Sequence, residues 1–145
     1  MTTKMYEGKI KNIGIFIDQR VGWMRCIELD DGNIYFLSKD LENTLDYIKL
    51  SDSLKRYYYY DYKYLLKAIK IKEFINNNLY RLNDYLLKLS YSILNDINNR
   101  GVLVLNIDGV NMLISRSLII SDRRRYQGWL YSYSNPYIQN EFYLK

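Results

Sequence analysis

The chain has 145 residues, of which 48% are apolar and 26% are charged, and its formal net charge is +5. These values predict one globular domain, residues 1–145, with a hydrophobic core, and they exclude an acidic mimic of DNA. The single cysteine, Cys26, and the absence of histidine exclude an internal disulfide and leave zinc without its usual ligands. We therefore expect no metal site and no other cofactor. The basic charge favours an anionic partner.

The balance of residue types indicates an AT-rich genome. The chain has 17 tyrosines but one proline and no histidine, and AT-rich codons specify tyrosine, isoleucine, asparagine and lysine. A virus, a mobile element or an organelle is a typical source of such a protein. Part of the tyrosine and lysine content therefore has a mutational cause.

The sequence predicts a protein without membrane segments. Residues 1–7 contain no apolar signal core, and no run approaches the roughly 20 apolar residues that a membrane span needs. We expect a soluble, intracellular protein without a membrane partner, in the cytoplasm or inside an organelle or an infected host cell.

Residues 8–37 are predicted to form a β-hairpin region. Three strand-like runs with partly alternating apolar residues follow one another, Gly8–Ile17, Val21–Leu29 and Asn33–Leu37. Asp30-Asp31-Gly32-Asn33 predicts a hairpin turn between the last two, because glycine supplies the positive φ that such a turn requires.

Residues 52–99 are predicted to form a helical segment after a transitional stretch at 38–50, with Ser51 or Ser53 as the cap. From Leu54 to about Asn99 there is neither glycine nor proline, which predicts one long helix or two that join at residues 76–78. Apolar residues spaced by three or four line one face of this segment: Ile75, Leu79, Leu82, Leu86, Leu89, Ile93 and Ile97. We expect this stripe to pack on the protein's own sheet; a coiled coil with another helix is the alternative.

Residues 102–134 are predicted to form a second β region, followed by a tail at 135–145. Gly101 is expected to cap the helix in a left-handed conformation. Residues 107–109 are a predicted turn, and the predicted strands are Val102–Asn106, Val110–Ser115, Ser117–Ile120 and Gln127–Ser134. The element order β-β-β-α-β-β predicts an α+β domain, an OB-like small β-barrel or sheet with a long helical insertion.

Short motifs mark the strands of the first region. They are Gly8-Lys9-Ile10-Lys11, Gly22-Trp23, Asp30-Asp31-Gly32 and Ile34-Tyr35-Phe36-Leu37-Ser38. Together they resemble the first half of a cold-shock or S1-like OB-fold domain, over roughly residues 8–41. The resemblance implies a barrel that binds RNA or single-stranded DNA.

The same resemblance implies roles for residues of the hairpin region. Trp23 and Tyr35 match aromatic residues that stack on bases, and Lys9 and Lys11 would contact phosphates. Arg25 lies two residues after Trp23 and shares its face, because side chains alternate along a strand, so it would also stack or bind phosphate. The alternative is that Trp23 and Tyr35 pack in or beside the core.

Two other runs combine basic and aromatic residues. Residues 55–64 are rich in tyrosine and, if helical, would expose some of their rings. Arg123, Arg124 and Arg125 form the densest positive run and are candidates for phosphate contact; a solvated loop is the alternative.

The sequence offers no clear catalytic site. Cys26 lies in an apolar strand with no histidine to act as its base, so we interpret it as an inert core residue. A Mg²⁺-dependent nuclease is the catalytic alternative, and its candidate carboxylates lie near predicted strand ends: Asp18, Asp30, Asp31 and Asp108. Asp-Gly turns explain two of them without chemistry, so we expect no enzyme.

The predicted function is therefore sequence-tolerant, non-catalytic binding of RNA or single-stranded DNA. The alternative is a structural or interaction protein, such as an assembly subunit of a virion or organelle or an inhibitor of a host complex. Its tyrosine, tryptophan and arginine residues would then contact a protein partner or a second copy. Salt dependence separates the two, because counterion release weakens nucleic-acid binding steeply as salt rises.

Overall fold

The structure is a computed structural model, and it describes residues 4–18, 22–45 and 63–110. Several predictions lie outside these residues: the cap at Ser51 or Ser53, most of the tyrosine-rich run at 55–64, the strands predicted after residue 110, Arg123 to Arg125, and the tail at 135–145.

Five strands form one open antiparallel sheet with the order β1-β2-β3-β5-β4. The strands are β1 (Ile10–Asp18), β2 (Gly22–Leu29), β3 (Ile34–Leu37), β4 (Lys63–Leu66) and β5 (Val102–Asn106). In the described ranges three helices of eight or more residues accompany them: α1 (Ser38–Leu45), α2 (Ala68–Asn78) and α3 (Asp84–Asp96). The predicted α+β class, a small sheet with helices, is confirmed at this level.

The predicted hairpin between β2 and β3 is confirmed. Gly32 has a φ of +86°, and its amide donates to the carbonyl of Leu29 at 3.0 Å. The Asp31 carboxylate accepts a hydrogen bond from the amide of Asn33 at 2.9 Å. The turn chemistry therefore sets the register of the strands, with Ile27 opposite Tyr35.

The prediction of helix over residues 52–99 is wrong at residues 63–66. Lys63–Leu66 is a strand that pairs with β5, where the sequence predicted helix. Its four residues are too few for a period of two to stand out from the surrounding tyrosines. In contrast, the break predicted at residues 76–78 is confirmed, because α2 ends at Asn78.

Other boundaries also differ from the predictions. α1 occupies a stretch that the sequence left as transitional, and residues 107–110 are helical where a turn and a strand start were predicted. Gly101 has a positive φ of +111°, but it lies in the turn before β5 and does not cap α3, whose C-cap is Ile97. A Cβ at Gly101 would collide with the carbonyl oxygen of Leu66, so the close approach of β4 requires glycine there.

Most of the predicted apolar stripe packs on the sheet. Ile75, Leu89 and Ile93 are buried in the core, and Leu82, Leu86 and Ile97 pack against it partly buried. The prediction for Leu79 is wrong: its side chain is 55% exposed. The reason is local, because α2 has ended at Asn78 and the face of the helix no longer continues into the turn.

Both faces of the sheet are buried. On the face that α2 and α3 cover, Ile13, Ile27 and Tyr35 pack against Phe74 and Ile93. The alternate residues of β2 and β3 point to the opposite face and are buried as well: Met24, Cys26 and Phe36. Within the described residues, the centre of the sheet therefore presents no open face to a ligand.

The segment before β1 also reaches β4. The amide of Tyr6 donates to the carbonyl of Leu65 at 3.0 Å, and the amide of Leu65 donates to the carbonyl of Lys4 at 2.9 Å. These two bonds form a parallel bridge between Met5 and Leu65.

Candidate functional site

The three hairpin residues predicted to bind bases do share one face of the sheet. Trp23 and Arg25 are two residues apart on β2, and Tyr35 lies opposite Ile27, the next residue on that face. However, this is the face that the helices cover. Arg25 is 5% exposed and Tyr35 is 1% exposed, whereas Trp23, near the end of β2, is 55% exposed.

Arg25 is held inside a set of ion pairs that we call the Arg25 cluster: Arg25, Lys39, Asp40 and Asp96. The pairing of β2 with β3 ends at Cys26, because the chain of β3 continues into α1 after Leu37. Arg25 therefore has no partner residue on β3. Asp40 of α1 accepts a hydrogen bond from the Arg25 amide at 2.8 Å, in the position that a sheet partner would take. The same carboxylate binds the guanidinium through Nε at 2.9 Å and Nη2 at 2.7 Å. This bidentate geometry is the strong form of the pair.

The C-terminal half of α3 completes the Arg25 cluster. Asp96 lies 2.6 Å from Arg25 Nη1 and 2.9 Å from Lys39 Nζ. Burial raises the pKa of the Asp96 carboxyl, but hydrogen bonds from Lys39 and Arg25 outweigh it, and the pKa lies below its usual range. The charge of Arg25 is thus matched within the fold, and its assignment to phosphate or base contact is corrected: as folded, it joins β2, α1 and α3.

Tyr35 also has partners inside the protein. Its hydroxyl donates to Asp31 at 2.6 Å, and its ring meets Tyr64 edge to face at a centroid distance of 5.6 Å. Burial, followed by the hydrogen bond to Asp31, raises the pKa of the phenol. A ring in this position cannot stack on a base, so the alternative, packing in the core, is the one that the structure shows for Tyr35.

Lys9 and Lys11 are exposed, as phosphate contact requires, but they are distant from Trp23. Trp23 lies opposite Ile17, whereas Leu29, six residues further along β2, lies opposite Ile10. At about 3.3 Å per residue the two ends of the hairpin are roughly 20 Å apart. The prediction that these lysines lie near Trp23 is therefore wrong.

Two cations from other elements join the lysines at their end of β1. The ladder skips a residue between Ile10 and Asn12, so Lys11 occupies a bulge. Arg81, which follows α2, places Nη2 at 3.4 Å from the side-chain oxygen of Asn12. Lys70 of α2 donates from Nζ to the carbonyl of Glu7 at 3.1 Å. We call this set the basic edge: Lys9, Lys11, Lys70 and Arg81.

Two carboxylates beside the basic edge accept hydrogen bonds from neutral donors. Asp30 accepts from the hydroxyl of Tyr6 and from the amide of Lys9, the latter at 2.9 Å. Glu28 accepts from the side-chain amide of Asn12 at 2.6 Å. The hydrogen bond from Tyr6 is the main reason that the pKa of Asp30 lies below its usual range. Among the ion pairs of the described residues, none involves a cation of the basic edge.

Exposed aromatic rings on α3 and in the turn before it were missed in the sequence analysis. Tyr80 is 88% exposed and directly precedes Arg81, and Tyr85 and Tyr91 of α3 are about half exposed. The signal for Tyr80 was present in the sequence. It follows the break that the three asparagines predict, and a large side chain just beyond a helix end lies outside the buried stripe.

The other candidate residues fall into the core or into turns. Cys26 is buried as predicted, and burial raises the pKa of its thiol. Asp31 serves the turn and Tyr35. Across the three described ranges there is no group of three or more metal-ligating side chains, and the helices found there are too short or too polar to cross a membrane.

No protein-family model, curated protein or solved structure matches the chain.

Proposed function

We propose that the protein is a non-catalytic nucleic-acid-binding protein that takes RNA or single-stranded DNA with little sequence preference. The basic edge is the observation that carries this proposal. Its four cations come from β1 and the residue before it, from α2 and from the residues after α2, and none forms an ion pair with a carboxylate in the described part of the chain. A row of surface cations outside ion pairs fits a polymer that carries one negative charge per nucleotide.

The dimensions of the basic edge also fit a nucleic-acid backbone. Lys70 lies at Glu7 and Arg81 lies at Asn12, with Lys9 and Lys11 between them. Five residue steps of fully extended chain would span about 17 Å, and the bend at Gly8 and the bulge at Lys11 shorten this span. Contacts of this kind position a backbone and do not read base edges, so they support sequence-tolerant binding.

Two predictions from the sequence remain part of the proposal. Arg123, Arg124 and Arg125 would add phosphate contacts, and exposed Trp23 would add a stacking ring at the far end of the hairpin. The OB-like fold also remains a proposal. It is supported by a helix between β3 and β4 and by the bridge from Met5 to Leu65, which joins the chain before β1 to the opposite edge strand.

The test compares two variants that each remove two lysines and one arginine. Lys9→Gln/Lys11→Gln/Arg81→Gln empties most of the basic edge, and Lys72→Gln/Lys88→Gln/Arg100→Gln removes exposed cations elsewhere. Affinity for a labelled oligothymidine is measured against salt concentration. Each lost phosphate contact lowers the log–log slope by about 0.7, so we expect the first variant to lose roughly two units of slope and the second almost none.

Two results would contradict the proposal. One is a wild-type protein with no salt-sensitive binding to RNA or single-stranded DNA at low ionic strength. The other is an equal loss of salt slope in both variants, which would mean that binding depends on the total positive charge of the protein and not on the basic edge.

A protein interface is the second candidate function. Ile69, Leu79, Tyr85 and Tyr91 are exposed on α2, on α3 and between them, and tyrosine is enriched in the cores of protein interfaces. Binding to a protein through these residues would change little with salt, in contrast to binding through the basic edge.

A further inference from the structure

We propose that Tyr80 is the base-stacking residue of the basic edge, and that the site therefore prefers an unpaired strand to a duplex. This inference rests on the proposed function and deepens it. Tyr80 lies in the turn between α2 and α3, and its side chain is the most exposed large hydrophobic group among the described residues, at 88%. It is also the direct chain neighbour of Arg81, one of the four cations.

The turn is ordered by hydrogen bonds at both ends, so the ring is presented by a fixed backbone. The amides of Arg81 and Leu82 both donate to the carbonyl of Asn78 at 3.0 Å. The Asn78 side chain donates to the carbonyl of Phe74 at 2.7 Å. On the other side, Asn83 caps α3 by accepting from the amide of Leu86 at 2.8 Å.

Arg81 contacts the hairpin. Its guanidinium reaches Asn12, the residue after the bulge at Lys11, and Tyr80 is the direct neighbour of Arg81 in the chain. A phosphate held by these cations brings its base within reach of the neighbouring ring. The other aromatic candidates do not meet this condition, because Tyr35 is internal and Trp23 lies at the far end of the hairpin.

The chemistry of stacking explains the preference for a single strand. An exposed phenol ring offers its π-face to any base, which makes the contact tolerant of sequence. In a duplex both faces of an internal base are covered by its neighbours, and only the phosphates remain for the basic edge. Stacking on one base corresponds to about a 5- to 150-fold gain in affinity.

The experiment uses the full chain with three variants and two ligands. Tyr80→Ala removes the ring, Tyr80→Phe keeps it, and Tyr91→Ala removes a half-exposed tyrosine on α3 as the matched control. The ligands are an oligothymidine single strand and a duplex of equal length. We expect Tyr80→Ala to weaken single-strand binding 5- to 150-fold without changing the salt slope, and to leave duplex binding and the thermal midpoint unchanged. Tyr80→Phe and Tyr91→Ala should bind as the wild type does.

The failures are distinguishable. If single-strand binding is salt-sensitive and depends on Lys9, Lys11 and Arg81 but Tyr80→Ala matches Tyr91→Ala, this inference fails and the proposed function stands. An equal loss on the duplex also overturns it, because a duplex offers no free base. If the wild type shows no salt-sensitive binding at all, the proposed function fails, and this inference fails with it.

Discussion

The Arg25 cluster and the basic edge show two different uses of positive charge on the same hairpin. In the Arg25 cluster, Arg25 is buried and faces Asp40 and Asp96, and Lys39 completes the pairs. At the basic edge the cations are at the surface, and the nearby carboxylates accept from Tyr6, a backbone amide and Asn12 instead. The role of a cation is therefore decided by the carboxylates that the fold places opposite it.

Because of this difference, the Arg25 cluster is expected to affect the stability of the fold, and the basic edge is expected to affect ligand binding. Removing one partner of a buried ion pair leaves an uncompensated charge, which strongly destabilises a fold. An exposed cation without a partner contributes little to the fold and remains available to an anionic ligand. The described residues contain almost equal numbers of basic and acidic side chains, so the two regions differ in how charges are paired and not in overall charge.

The largest loss of stability should follow from removing the Arg25 guanidinium from the Arg25 cluster. Arg25→Met removes the guanidinium and leaves the Asp40 carboxylate buried beside an apolar chain. We expect a loss of about 3–5 kcal/mol in the free energy of unfolding, measured by chemical denaturation. Arg81→Met is the matched control from the basic edge and should change the value by less than about 0.5 kcal/mol. Similar losses of unfolding free energy in the two variants would show that the two regions contribute equally to stability.

A second comparison uses apolar residues near the same two regions. Ile93 follows Ser92, whose hydroxyl oxygen accepts a hydrogen bond from Arg25 Nη1 at 3.3 Å, and Ile93 is fully buried. Leu79 lies in the turn next to Tyr80 and is mostly exposed. Ile93→Ala should cost about 2–5 kcal/mol of unfolding free energy. Leu79→Ala should cost less than about 0.5 kcal/mol. A large cost for Leu79 would mean that the stripe of apolar residues continues through the turn after all.

The smallest effect concerns pH and Asp96. Its pKa in the folded state is depressed, so its ion pairs stabilise the fold above the ordinary aspartate pKa of about 3.9, and that contribution is lost as the pH falls through the folded-state value. At neutral pH, Asp96→Asn should be less stable by about 1 kcal/mol, because the pair is partly exposed. The stability curves of the variant and the wild type should begin to converge below about pH 4 and meet once the pH is below the folded-state pKa of Asp96. Curves that stay parallel to low pH would show that the Asp96 charge contributes nothing.

The hairpin was predictable because its information is local. The Asp31-Gly32 pair specifies the turn, and alternation in the flanking strands specifies the register. The same reasoning found the end of α2 at the asparagines. β4 was missed because four residues within a tyrosine-rich run carry no distinct period. α1 was missed because it is short: its two leucines, Leu41 and Leu45, are four residues apart, which is too few positions to establish a helical period.

The candidate site was only half predictable for a related reason. Alternation placed Trp23, Arg25 and Tyr35 on one face correctly, but it does not say which face the helices will cover. The partners of Arg25, Asp40 and Asp96, lie 15 and 71 residues further along the chain. No local sequence pattern could therefore predict them. The position of Arg25 between Met24 and Cys26 was the one available hint of burial. Lys70 and Arg81 reach the basic edge through tertiary packing alone.

The interior position of β5 in the sheet has a consequence for synthesis of the chain. β5 lies between β3 and β4 although it follows both in sequence, with Tyr35 opposite Asn106 and Leu66 opposite Val102. A ribosome that adds about 5–20 residues per second needs several seconds to pass from the end of β3 to the end of β5. During that time the nascent hairpin has an unpaired apolar edge at β3, the kind of surface that chaperones shield. The sheet is completed late, by the interior strand that joins β3 to β4, and not by adding strands outward from its first hairpin.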